Sequence, residues 1–281
     1  MSESSELVPE IYRRRAAATL IRRDVITAGG PETETFLQGQ LSQDVAALAV
    51  GESAPSFLLQ PMGKVDAWLR VTRTADDEYL LDLDAGHGEA TLNRLNRFKL
   101  RTKSDLTLAT LSVKAVRSAG GPVDAPDRAI TISWGPVSGY DLFGVDSLDA
   151  DDVEASSADF ETLRLLVGVP AMGSELTEDT IPAEAGVVEA SVSFTKGCYT
   201  GQELVARIDS RGGNVPKHLR GVVGVGAVVG DAVIVDGDEV GTVTSVSGGV
   251  ALAYVKRAVE SFPASAEVGG GSVEIRELPL I

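Results

Sequence analysis

From Leu219 onward the apolar residues come in short runs, GVVGVG, DAVIVDG, EVGTVTSV, VALAYV and SVEIREL, separated by glycine and aspartate, with no helical pattern between them. Such runs bury their apolar sides only by pairing with one another through tight turns, so residues 217–281 are predicted to form a small antiparallel barrel or sandwich. A chain of 281 residues predicts about two domains, and everything before this segment reads differently.

Residues 65–73 (VDAWLRVTR) alternate, with Val65, Ala67, Leu69 and Val71 on one side and Asp66, Trp68, Arg70 and Thr72 on the other, the period of a half-buried strand. Glu78 to Asp84 reads as a second strand, and Leu106 to Val116 as a third. Between these two, Leu92, Leu95 and Phe98 recur at helical spacing. An earlier strand is expected near Val25 to Ala28, with Pro31 opening the helix that follows it. Pro122 to Asp127 marks a loop and Ala129 to Trp134 another strand. The acidic stretch Asp146 to Asp159 reads as a solvated connection into the helix-like ETLRLLVG. The expected class is α+β. Its expected division is an N-terminal extension (1–23), an α+β region of two interleaved lobes (24–216) and the C-terminal β domain (217–281).

The formal charge of −16 repels nucleic acid and anionic lipid and argues against direct nucleic-acid binding. One cysteine and two histidines exclude an internal disulfide and leave little for a metal centre; no metal is expected. The polar, acidic start and the absence of a long apolar run lead us to expect a cytoplasmic protein without a membrane partner.

The single cysteine lies in FTKGCYTGQE, residues 194–203. Two readings of Cys198 stand side by side. Lys196, Arg207 and the amides of a glycine-containing turn favour a thiolate, whereas a lone cysteine without a base or second thiol also serves as a small buried hydrophobe. Tyr199, Gln202 and Glu203 offer an aromatic face, an amide and a carboxylate, a set suited to a flat nitrogen-rich ring, or equally a turn and the start of a helix. In RLNRFKLRTK, the residues Arg94, Arg97, Lys99, Arg101 and Lys103 form either a solvated face or a patch for phosphate or a multiply charged carboxylate tail. Asp66 is either an outward strand residue or a general base.

Lys196, Gly197, Cys198, Tyr199, Gly201, Gln202 and Glu203 match the motif K-G-C-Y-x-G-Q-E, in which this chain resembles the YgfZ-type folate-binding proteins. FLQGQLSQDV (36–45), the Gly63-Lys64 turn, LRLLVGVP (163–170) and the runs EVGTVTSV and ALAYV extend the likeness, the last two toward the related glycine-cleavage aminomethyltransferase. The resemblance implies a three-lobed, aminomethyltransferase-like folate-binding α+β fold with a small C-terminal antiparallel β-barrel. It further implies tetrahydrofolate or a derivative as ligand, a functional thiol at Cys198, and partners among iron–sulfur proteins or their assembly factors, with an indirect effect on tRNA modification. Lys196, Tyr199, Gln202, Glu203, Arg207, Phe160, Arg164 and Tyr140 would then line the folate, and Asp66 would act with Cys198 in any catalysis. An active folate-dependent aminomethyl or one-carbon transferase is the alternative. Against it, Asp66-Ala67 stands where that enzyme has two aspartates, and Phe160 where it has an arginine.

Overall fold

The computed structural model describes residues 6–224 and 226–281. Its elements are α1 (Glu10–Arg14), β1 (Ala17–Gly29), α2 (Thr33–Gln40), β2 (Ser53–Leu59), β3 (Val65–Ala75), β4 (Glu78–Asp84) and α3 (Gly88–Lys99). These are followed by β5 (Asp105–Ser118), β6 (Ile130–Trp134), β7 (Val137–Phe143), α4 (Ser157–Val167), α5 (Val188–Ser191) and α6 (Gln202–Ser210). The C-terminal strands are β8 (Lys217–Val223), β9 (Ala232–Val235), β10 (Asp238–Ser247), β11 (Val250–Lys256), β12 (Ala264–Val268) and β13 (Gly271–Arg276). The chain divides into two compact units, one of Met1–Ile21, Val113–Pro170 and Val215–Ile281, the other of Arg22–Ser112 and Ala171–Asn214.

In the first unit β8 to β13 close into a barrel in the order β10-β11-β8-β13-β12-β9, with antiparallel pairs throughout. Its inward residues, among them Val222, Val233, Val243, Ala253 and Ile275, form one apolar core. Closure leaves the six strands without a free edge, which answers the absence of covering helices in this part of the sequence. Strands β5, β7 and β6 lie side by side in this unit, and α4 starts where the Ser156 hydroxyl accepts the amide of Asp159, an N-cap. Leu163, Leu165 and Leu166 of α4 are buried with Leu219, Leu252 and Tyr254.

In the second unit the strands run β2-β3-β4-β1-β5, with β2/β3, β3/β4 and β4/β1 antiparallel. The alternation read in β3 is realised: Val65, Ala67, Leu69 and Val71 are buried. One core joins the sheet to α2 and α3 through Ile26, Leu37, Leu41, Leu69, Leu81 and Leu95. A second gathers Phe57 and Leu59 with Leu176, Ala185, Val192, Tyr199 and Val205. Leu58 belongs to the first of these and its neighbours Phe57 and Leu59 to the second, so β2 is apolar on both faces.

Two local expectations are corrected. Strand β1 begins at Ala17, inside the stretch expected as an extension. Its basic residues mislead a reading by polarity, because Arg23 pairs with Asp82 and Asp84. Helix α2 begins at Thr33 with Glu32 as its N-cap. Pro31 precedes the helix in a turn, because the Thr33 amide bonds to the Gly30 carbonyl.

Candidate functional site

The loop carrying Cys198 is built by the second unit alone. Lys196 precedes the thiol by two residues, and its Nζ donates to the carbonyls of Gln38 (2.8 Å), Leu41 (2.7 Å) and Gln43 (2.7 Å). An ammonium has three protons, so these carbonyls match its donors one for one. They belong to the C-terminal end of α2 and the residues after it, where a cation also meets the negative end of the helix dipole. The motif lysine and the FLQGQLSQ segment are thus two halves of one clamp. Burial pulls the Lys196 pKa down to about 8, opposed by the nearby charge of Asp44; the group remains an ammonium at neutral pH.

On the other side of the thiol, Tyr199 is buried in the second core and the Thr200 amide donates to the Gly39 carbonyl at 3.1 Å. Gln202, the first residue of α6, accepts the Tyr199 amide with its Oε1 at 3.2 Å. Gly201 adopts φ +82°, and a Cβ there would lie 2.4 Å from the Gln60 carbonyl oxygen and 2.7 Å from the Leu59 Cβ. Gly63 is its counterpart: a Cβ on it would meet the Leu204 Cβ at 2.4 Å. The glycine-lysine turn and the motif's second glycine exist for the same contact, the turn seated on the start of α6. Upstream, the Ser42 hydroxyl donates to the Ser191 carbonyl, the Ser193 amide to the Ser42 carbonyl, and the Trp68 indole N–H to the Ser191 hydroxyl.

Held this way, Gly197 and Cys198 face solvent. Cys198 is exposed, which decides between the two readings of its sequence against the buried hydrophobe. A Cβ on Gly197 would meet nothing within 4 Å. Glu203 and Arg207 are also exposed, and four residues apart they share one side of α6.

Asp66 lies on the same face of β3 as Trp68, and its carboxylate is engaged: Arg94 Nε donates to Oδ2 at 2.8 Å. The same guanidinium donates to the Leu59 carbonyl at 3.0 Å and reaches Gln40 Oε1 at 3.4 Å. It stacks 3.9 Å from the centre of the Phe98 ring. Arg94 is therefore buried and does not belong to a surface patch, as RLNRFKLRTK had suggested; Arg97, Arg101 and Lys103 are exposed. Lys99 donates to the Ser104 carbonyl.

Tyr140, Phe160 and Arg164 belong to the first unit. Phe160 meets Trp134 edge-on with ring centres 5.6 Å apart, and the Arg117 guanidinium lies over both rings. Arg164 is tied to Glu161, the Val169 carbonyl and the Ser245 hydroxyl. Tyr140 sits in β7 opposite Val116 and Thr131. Sequence reading missed Gln38, Gln40, Gln43 and Trp68 as parts of the site, and it grouped Arg94 with a basic run rather than with Asp66. The three glutamines at the end of an otherwise apolar segment were the available signal.

Among the described residues no group of three or more His, Cys, Asp or Glu is placed to hold a metal ion, and no helix is long and apolar enough to cross a membrane.

The chain is 27% identical over 241 residues to the tRNA-modifying protein YgfZ of Edwardsiella ictaluri, covering 73% of this chain and 71% of that one. It is 24% identical over 237 residues to the mitochondrial iron-sulfur cluster assembly factor IBA57 homolog of Neurospora crassa, covering 74% of this chain and 54% of the relative. The chain is a homologue of the YgfZ and IBA57 proteins. Its fold matches the crystal structure of the glycine cleavage system aminomethyltransferase T of Bartonella henselae, with a TM-score of 0.80 over 98% of this chain and 89% of that one, at 20% identity. No protein-family model matches. The likeness to the YgfZ and IBA57 proteins bears out the family inferred from KGCYTGQE, and the aminomethyltransferase fold with its closed C-terminal barrel bears out the fold class.

Proposed function

We propose that the chain binds tetrahydrofolate or a derivative beside Cys198 and, in that state, assists the assembly or repair of iron–sulfur proteins, with tRNA modification depending on it indirectly. The observation that carries this reading is the exposed thiol on a loop whose backbone is fixed on both sides, by Lys196 before it and by Tyr199 and Gly201 after it. A reactive group that must meet a bound molecule benefits from such a rigid mount. The names of the YgfZ and IBA57 relatives support the iron–sulfur and tRNA association.

The residues available to a folate differ from the full set implied by the motif. Lys196 and Tyr199 support the loop from within. Glu203 and Arg207 are the exposed pair: a carboxylate accepts from the pterin amino and ring N–H groups, and a guanidinium pairs with the glutamate carboxylates. Open space over Gly197 leaves room for a close approach. Folate would supply one-carbon chemistry; the protein's own residues bind it and hold the thiol in place. One cysteine does not supply the four thiolates of a cluster, so any cluster this chain meets draws its other ligands from elsewhere. In this reading the work is done in the cytoplasm, which the bacterial origin of the YgfZ relatives supports.

The aminomethyl transferase alternative requires Asp66 to act on an amine. Its carboxylate is neutralised by Arg94, so in this chain we assign it a positioning role. Folate-dependent product formed from glycine or dimethylglycine, and abolished by Asp66→Asn, would reverse that assignment.

Thermal unfolding tests the binding. At tetrahydrofolate about 100-fold above its dissociation constant, mass action adds about 2.7 kcal/mol and raises the midpoint by about 5 °C or more. Cys198→Ala should keep the shift, while Glu203→Gln with Arg207→Ala should lose most of it. No shift in the parent protein overturns the proposal. In cells lacking the chain, the parent but not Cys198→Ala should restore iron–sulfur enzyme activity.

A further inference from the structure

The turn after α3 carries a conformation that its residue does not favour. Leu100 has φ +45° and ψ −111°, and the Thr102 amide closes the turn on the Lys99 carbonyl at 2.9 Å. These are the angles of the first central position of a type II′ turn, where glycine dominates because a Cβ is strained there. The leucine is 88% exposed, so burial within this chain does not offset the strain. The surrounding structure enforces it. Lys99 Nζ donates to the Ser104 carbonyl, the Thr33 hydroxyl to the Ser104 hydroxyl, and the Lys103 amide to a Glu32 carboxylate oxygen. The result is a braced tip that presents one large aliphatic group to solvent.

The charge around that tip departs from the rest of the molecule. On a chain of net charge −16, residues 90–104 contain no aspartate or glutamate, and Arg97, Arg101 and Lys103, close to the leucine in sequence, are exposed. Phe98, 38% exposed, is covered on one side by the Arg94 guanidinium at 3.9 Å.

We infer that the Leu100 turn is a docking knob for a partner protein whose surface offers an apolar pocket rimmed by carboxylates. Arginine is enriched at interface hot spots, and the exposed leucine beside Arg97 and Arg101 adds apolar area that a partner's pocket would remove from water. Charge complementarity selects the acidic rim: an electronegative protein is repelled by most of this chain and attracted here. A single-stranded nucleic acid fits less well, since the projecting group is aliphatic and the one aromatic ring, Phe98, already carries a guanidinium on one side, whereas single-strand binders stack successive bases on several aromatic rings.

The test uses the full chain and three probes: a labelled helical peptide of about 20 residues with leucine on one face and glutamate on the other, a single-stranded RNA of about 15 nucleotides, and anionic phospholipid vesicles. The peptide should bind, and more tightly at about 0.01 M than at about 0.15 M ionic strength. Leu100→Gly should weaken the peptide by about 10-fold or more, while raising the melting temperature by about 2–4 °C as the strain is relieved. Arg97→Ala with Arg101→Ala should weaken it comparably and remove most of the salt dependence. Absence of peptide binding, peptide binding unmoved by Leu100→Gly, or preferential binding of RNA or vesicles overturns the inference.

Discussion

KGCYTGQE has an inner and an outer side, and the two are built for different purposes. Lys196, Tyr199, Gly201 and Gln202 are turned into the protein, where they hold three carbonyls, fill a core, seat a turn and cap an amide. Gly197, Cys198 and Glu203 are turned out. The motif is thus mostly scaffold, and its chemistry is concentrated in the residues that the scaffold leaves uncovered. A site inferred from a motif therefore has to be divided before roles are assigned: Lys196 and Tyr199, read from sequence as folate contacts, are turned inward, where they hold the loop.

Substitutions on the two sides should separate cleanly in stability. The largest loss is expected for Gly201→Ala, where a methyl would press on the Gln60 carbonyl and Leu59 in a backbone conformation unfavourable to alanine; denaturant unfolding should show about 3 kcal/mol. Lys196→Met removes a charged donor from three carbonyls and should cost about 2 kcal/mol. The same variant carries a pH signature. The Lys196 pKa is lowered from 10.5 to about 8 in the folded protein, so between those values the unfolded chain binds the extra proton and stability rises with pH. The stability advantage of the parent over Lys196→Met should therefore grow from about pH 8 to about pH 10.5. A difference that shrinks over this range would contradict the burial assigned to the ammonium.

Smaller effects follow. Gln202→Leu removes one neutral hydrogen bond to the Tyr199 amide and should cost about 1 kcal/mol. Gly197→Ala and Cys198→Ala should each stay within about 0.5 kcal/mol of the parent, because both positions are exposed and open space lies over Gly197. If either outward residue proves as costly as Gly201, the division into two sides fails.

The same contrast explains what was legible in the sequence. Strands β3 and β4, helix α3 and the barrel could be read because their signals are local: period-2 alternation, helical spacing, and glycine or aspartate between short apolar runs. Contacts to distant partners were not legible. Arg94 looked like one cation in a basic run because Asp66 and the Leu59 carbonyl lie 28 and 35 residues away. The start of β1 was hidden because Arg23 reads as a polar leader until Asp82 and Asp84 are placed beside it. The acceptors of Lys196 are backbone oxygens 153 to 158 residues away, and a carbonyl has no sequence signature. Tyr199 is the converse case: its ring read as a stacking face because nothing local revealed the apolar cluster that buries it. The exposure of Cys198 follows from these long-range supports, which is why its own neighbours left two readings open.

The most direct test of the central claim, that folate binds beside the thiol, is the alkylation rate of Cys198 by iodoacetamide with and without saturating tetrahydrofolate. One cysteine makes the readout unambiguous. The account predicts that the free protein reacts readily and that the ligand slows the reaction about 10-fold or more, as expected for a group covered by a bound molecule. An unchanged rate, in a sample where a thermal shift proves the ligand to be bound, would contradict it.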